Sequence, residues 1–178
     1  MEYIILGLLS LADRTIYQLR ERIDKGLNLM YSSSMGSIQA AVKKLLRGGY
    51  IRYEESVEKG KYKKTYTITE SGRQYFAEWV NRPMEMQNVK NPELAKIYFM
   101  GFSDKEKRAA LIKTYLENLK EQYQILCTIC KEADSVEVPE EKRDILFYQL
   151  AAARYGRDFM KFNIDWYEKL LDEILAAD

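Results

Sequence analysis

Cationic and polar side chains gather at two places in the first half of this 178-residue chain, and both suggest binding chemistry. Lys59, Lys61, Lys63 and Lys64 lie close together with Tyr62 among them. That is a compact charge source suited to neutralising a phosphate backbone. Upstream, Ile38, Ala41, Val42 and Leu45 recur at the spacing of an apolar helical stripe. The same helix therefore turns Ser34, Ser37, Gln39, Lys43, Lys44 and Arg47 outward. A glutamine amide can bond adenine through two hydrogen bonds, and the later cations suit phosphates.

Catalysis finds no comparable support. There is no histidine, which removes the commonest general base and the commonest zinc ligand. No dinucleotide fingerprint, phosphate-cradling loop or nucleophile elbow occurs. Cys127 and Cys130 form a Cys-x-x-Cys pair deep inside a helical pattern, far from a helix N-terminus that would lower a thiol pKa. Without a second pair or a histidine they read as two small hydrophobes. No metal and no cofactor is expected, and the chain is not expected to be an enzyme.

The elements that must position these residues follow from periodicity. An almost wholly apolar stretch over 2–11 reads as a buried helix. Thr15 and Gln18 have capping-box spacing before a second helix, whose stripe is Ile16, Leu19 and Ile23. Ser32, Ser33 and Ser34 offer N-caps for the third helix, and Gly48 and Gly49 end it. The period then changes to two. Residues 51–56 and 63–68 alternate around a polar Glu58-Lys59-Gly60-Lys61 loop, the pattern of a β-hairpin. Thr69 caps a fourth helix running to about Arg82, before Pro83. Helix, helix, turn, helix and hairpin in that order is a winged helix-turn-helix.

The remainder is helical in pattern. A short helix is expected over 92–101. A capping box at Ser103–Glu106 opens a long helix to about Ala133, with Ile112, Leu119, Leu126 and Ala133 seven apart. Pro139 is expected as the first residue of the last helix. There Ile145, Tyr148, Ala152, Tyr155, Phe159, Phe162 and Trp166 alternate spacings of three and four, a coiled-coil-like seam. Ile145, Tyr148, Tyr155, Phe159, Phe162 and Trp166 are the expected dimerisation residues. The fold expected is mainly α with one small β-hairpin. A winged helix-turn-helix fills 1–82, and a helical, antiparallel dimerisation and effector-response domain fills 83–178.

Charge agrees with this division. Residues 1–80 hold 13 Lys/Arg against 9 Asp/Glu, and residues 81–178 hold 15 against 18. The basic half suggests a polyanionic partner. The apolar stretch Tyr3–Leu11 is too short to span a bilayer, which needs ~20 residues, and follows an acid, so no membrane partner is expected and the cytoplasm is the expected compartment.

Several stretches resemble the PadR family of transcriptional regulators. Ile5-Leu6-Gly7-Leu8-Leu9 is similar to its first-helix signature and Tyr17-Gln18-Leu19 to its second. Leu45 with Gly49-Tyr50-Ile51, and Tyr66-Thr67-Ile68-Thr69-Glu70-Ser71-Gly72, resemble its recognition-helix exit and its wing exit. Ala95-Lys96-Ile97-Tyr98-Phe99 and Trp166-Tyr167-Glu168-Lys169-Leu170 resemble the long C-terminal domain of its phenolic-acid-regulator branch. The resemblance implies a homodimer that represses from double-stranded operator DNA, released in some members by a small ligand, here expected to be aromatic or hydrophobic. Two positions depart from the family's pattern: Ile16 stands where a glycine is usual, and Gln39 where a tyrosine is usual. The competing expectation is a winged helix that binds a protein partner instead of DNA.

Overall fold

The computed structural model describes residues 1–26, 34–58, 61–85 and 91–176. The chain divides into two compact units, Met1–Gln87 and Asn88–Asp178.

In the first unit α1 (Glu2–Leu11), α2 (Ile16–Gly26) and α3 (Met35–Arg47) are followed by β1 (Ile51–Glu58), β2 (Lys61–Ile68) and α4 (Glu70–Val80). Its core joins Ile5, Leu6 and Leu9 of α1 to Leu19 and Ile23 of α2 and to Ile38 and Leu45 of α3. Burying one such side chain contributes roughly 1.5–3 kcal/mol. The start of α2 is the predicted capping box: Thr15 N–H donates to Gln18 Oε1 at 2.9 Å, and Gln18 N–H to Thr15 Oγ1 at 3.2 Å. Ser34 caps α3 by accepting from Ser37 N–H at 3.2 Å. Ser32 and Ser33, the other cap candidates, lie outside the described residues.

The end of α3 is a Schellman motif. Gly49 takes φ +69°, Tyr50 N–H donates to Leu45 O at 3.0 Å and Gly49 N–H to Leu46 O at 3.1 Å. The chain leaves this turn directly into the antiparallel hairpin, paired from Ile51↔Ile68 to Glu58↔Lys61. The strands are thus longer than the alternation suggests. Glu58 and Lys61 form the last rung and do not belong to the loop. One bridge between Arg14 and Tyr66 covers the outer edge of β2. Thr69 caps α4 through Gly72 N–H at 3.1 Å, as its spacing predicts. Gly72 is required by packing, since a Cβ there would stand 2.0 Å from Tyr50 O.

The second unit holds α5 (Pro92–Tyr98), a 3-10 turn (Met100–Phe102), α6 (Lys105–Ala133), a second 3-10 turn (Glu140–Lys142) and α7 (Arg143–Ala176). Helices α6 and α7 form a hairpin around Ile112, Leu116, Leu119, Ile164 and Tyr167. Two expected helix starts differ. Asp104, not Ser103, is the N-cap of α6 and makes no side-chain cap bond; its carboxylate instead holds Lys107 at 2.6 Å. Pro139 precedes the 3-10 turn, so α7 begins at Arg143. The seven-residue stripe holds at Ile112, Leu119 and Leu126, but Leu116 and Cys130 are buried where Ile129 is exposed. A straight helix drifts from a seven-residue repeat, which moves the buried line sideways. Among the described residues no helix is long and apolar enough to cross a membrane.

Candidate nucleic-acid interface

Helix α3 buries Ile38, Ala41, Val42 and Leu45 and leaves Ser34, Ser37, Gln39, Lys43, Lys44 and Arg47 at the surface. At 100° per residue Gly36, Ala40, Lys43 and Arg47 lie opposite the core, with Gln39 to one side and Ser37 and Lys44 to the other. Gly36 and Ala40 are small and exposed, so the helix backbone is open to close approach on this face. Neither stands out in the sequence, because a small residue carries no functional group.

The flanks differ in how far their polar groups are already committed. Ser37 Oγ donates to Ser34 O at 2.8 Å, so both serines serve the helix start. Lys44 Nζ lies 2.8 Å from Glu2 Oε1 on α1, and this carboxylate partner raises the Lys44 pKa above its ordinary value. Gln39, Lys43 and Arg47 have no partner among the described residues.

The hairpin divides its lysines by strand register. Lys64 shares a face with Glu55, Tyr53 and Tyr62. Its ammonium stands 3.0 Å from Glu55 Oε1 and 4.4 Å from the centre of the Tyr53 ring. Glu55 is held below the usual glutamate range by a hydrogen bond from Tyr62 first and by Lys64 second. The same interactions raise Tyr62 and Lys64. Lys64 therefore stiffens the stem of the wing. Lys63 points to the other face, with Ser56 opposite it across the strands. Lys59 and the Lys61 side chain lie outside the described residues. A cleft of about 540 Å³ runs beside β2, lined by Thr15, Ile16, Tyr17, Tyr62, Lys63 and Tyr66. Tyr17, 78% exposed, presents its ring there at the start of α2; in the sequence only the family resemblance marks it.

The expected dimerisation residues Ile145, Tyr148, Tyr155, Phe159, Phe162 and Trp166 lie in the other unit, on α7, and all are exposed in the single chain. The residues α7 turns toward α6 are others: Ile164 and Tyr167, with Met160, Leu171 and Ile174 beside them.

Comparison with known proteins covers most of the chain. The profile of the transcriptional regulator PadR-like family matches residues 5–78, and that of the virulence activator alpha C-term matches residues 89–174. A curated relative, the negative transcriptional regulator PadR of Bacillus subtilis (strain 168), is 29% identical over 119 residues, which are 66% of this chain and 65% of that relative. The crystal structure of Bacillus subtilis PadR in complex with operator DNA superposes with a TM-score of 0.83 at 24% identity, covering 97% of this chain and 98% of that one. Its complex with p-coumaric acid superposes at 0.75 and 24% identity, covering 97% of each chain.

Proposed function

Because the chain belongs to the PadR-like family of transcriptional regulators, we propose that it is a homodimeric repressor that binds operator DNA through α3 and the wing. The observation that carries this reading is the outward face of α3, where Gln39, Lys43 and Arg47 stand without partners among the described residues, on a helix held from behind by four buried side chains. An amide early in such a helix reads a base edge, and cations later in it hold phosphates. Lys59, Lys61 and Lys63 add phosphate contacts from the wing. Lys44 and Lys64 contribute mainly by holding α3 and the wing in shape, because each already has a carboxylate. Ser34 and Ser37 keep outward lone pairs for the backbone while capping the helix.

The two units divide the work. Residues 1–82 bind DNA, and residues 83–178 dimerise through the exposed α7 seam. The relative crystallised with p-coumaric acid supports a small aromatic or hydrophobic effector for this chain as well. A ligand of that kind releases the operator only if it binds the DNA-incompetent arrangement more tightly. The site of action is the cytoplasm, where the chromosome is. Selection of fragments from a genomic library by the purified protein, followed by binding titrations at several salt concentrations, tests the reading. A family of related sequences bound with a steep salt dependence is expected. Weak binding of every duplex alike, together with capture of a protein partner by the α3 face, would establish the interaction module instead.

A further inference from the structure

The α6–α7 hairpin leaves an apolar patch uncovered at each of its ends. Two ion pairs fix its register: Lys120 Nζ lies 2.6 Å from Glu168 Oε1, and Asp134 Oδ1 lies 2.7 Å from Arg154 Nη2. Each pair is the other shifted by fourteen residues along both helices, so Ala133, the last residue of α6, stands level with Tyr155. Helix α7 starts at Arg143 and therefore overshoots α6 by about twelve residues, ~18 Å at ~1.5 Å per residue. The connecting segment covers part of this overhang, where Val136 and Val138 meet Leu146 and Leu150 across a cleft of about 550 Å³. Ile145, Phe147 and Tyr148 stay exposed, Tyr148 by 71%.

At the other end the same register puts Ile112 level with Ala176, so α6 begins beyond the end of α7. There α5 and the 3-10 turn after it fold onto the hairpin through Ile97 and Met100. Arg108 Nη2 holds the turn, donating to Gly101 O at 3.0 Å and to Ser103 O at 2.9 Å. Tyr98, Phe99 and Phe102 remain outside, with Phe102 93% exposed, and the Tyr98 and Phe99 rings meet edge to face at 4.9 Å. Contiguous exposed apolar side chains of this kind mark interaction sites. The charges beside the two patches are opposite. Residues 137–144 hold four acids against two bases, and residues 91–113 hold five bases against three acids.

We propose that in the homodimer, a reading on which this pairing rests, the α7 overhang of one copy covers the α5 aromatic platform of the other, and the reverse. A two-fold axis across the hairpin brings opposite ends together and makes the contact twice. Two unlike, complementary patches on one chain are then both covered. A single head-to-tail contact would leave one patch of each kind in water. On the same register Phe162 and Trp166, of the outer α7 stripe, lie about midway between the patches, so the axis passes through the exposed seam. Five aromatic rings enter each contact: Tyr98, Phe99, Phe102, Phe147 and Tyr148. At ~150–250 Å² for a buried aromatic side chain, the two contacts exceed the roughly 1,000 Å² that a biological interface needs.

Sedimentation of the full chain tests the pairing. Phe102→Lys and Phe147→Glu each damage both contacts of their own dimer, so each variant alone should dimerise at least about 100-fold more weakly, with circular dichroism unchanged. Mixed one to one they should form a heterodimer, because one contact is then wild type and the other pairs opposite charges. Tyr98→Lys mixed with Tyr148→Glu should behave in the same way. A wild-type dimer whose variants stay dimeric, or whose mixtures stay as dissociated as their components, would overturn the pairing and leave the homodimer standing. A wild-type monomer would overturn the homodimer reading and the pairing with it.

Discussion

At the scale of single residues, the proposed interface separates cations that are free from cations already committed to shape. Among the described residues Lys43 and Arg47 have no carboxylate partner, whereas Lys44 and Lys64 are bound to Glu2 and Glu55. Removing one cation from a phosphate should reduce the slope of log affinity against log salt by about 0.9. The double change Lys43→Ala and Arg47→Ala should therefore lower that slope by roughly 2 units and weaken all sequences alike. Lys64→Met should leave the slope nearly unchanged while loosening the wing, and fluorescence anisotropy at three or more salt concentrations compares the two. Equal slopes for both variants would remove the distinction. The role proposed for Gln39 is base reading. Deleting a bidentate pair of hydrogen bonds to a base costs about 1–3 kcal/mol at one operator position, so Gln39→Ala should relax selection at that position only. Random-sequence selection with the variant reads this directly, and an unaltered motif would assign base reading to other residues.

At the scale of elements, the turn from α3 into the hairpin and on to α4 rests on backbone packing that side-chain chemistry does not announce. Tyr50 O accepts from Thr69 N–H at 3.0 Å, and Gly72 packs against the same carbonyl. A methyl group at position 72 has no room and must push α4 away from the strand. Gly72→Ala should destabilise the first unit by about 1–3 kcal/mol, the usual cost of overpacking. Chemical denaturation measures it, and a change under about 0.5 kcal/mol would mean that the packing relaxes freely. The wing stem makes a pH-dependent prediction. Tyr62 and Lys64 hold Glu55 below its ordinary 4.5, so its contribution is complete above that value and is lost as pH falls through the lower, folded value. An NMR titration of the Glu55 carboxyl should give a midpoint below 4.5, moving back toward it in Lys64→Met. Much of this architecture is legible in the sequence, because Thr15, Ser34, Thr69 and the paired glycines are caps whose chemistry is local. The committed lysines are not. That Lys44 meets Glu2 depends on how α3 crosses α1, and that Lys64 turns to Tyr53 depends on the register of β2 against β1.

At the scale of the whole molecule, the proposed dimer depends on which side of α7 faces outward, and the sequence alone does not decide this. The helix carries two offset stripes with the same three-and-four spacing. Met160, Ile164, Tyr167, Leu171 and Ile174 form one, and the structure turns it toward α6. Ile145, Tyr148, Tyr155, Phe159, Phe162 and Trp166 lie along the other, which the single chain leaves in water, with Phe162 62% and Phe159 48% exposed. Periodicity finds both stripes; only the packed α6–α7 hairpin separates them. Removing α7 at Pro139 would uncover Ile112, Leu116 and Leu119 and unfold the unit, so truncation cannot test dimerisation. Charges placed on the outer stripe can. Phe159→Glu with Phe162→Glu changes two exposed positions and leaves the inner stripe intact, so circular dichroism and thermal unfolding of the protomer should stay close to wild type. Sedimentation should show a monomer in place of a dimer. Half-sites lie about one DNA turn apart, ~34–36 Å, and a dimer brings its second α3 to the second half-site at an effective concentration near millimolar, an avidity gain of ~10²–10⁴. The double variant should lose operator affinity by that factor while its binding to an isolated half-site is unchanged. A double variant that sediments as a dimer would place the interface elsewhere. A monomeric variant with full operator affinity would instead remove avidity from the account of how this chain holds its DNA.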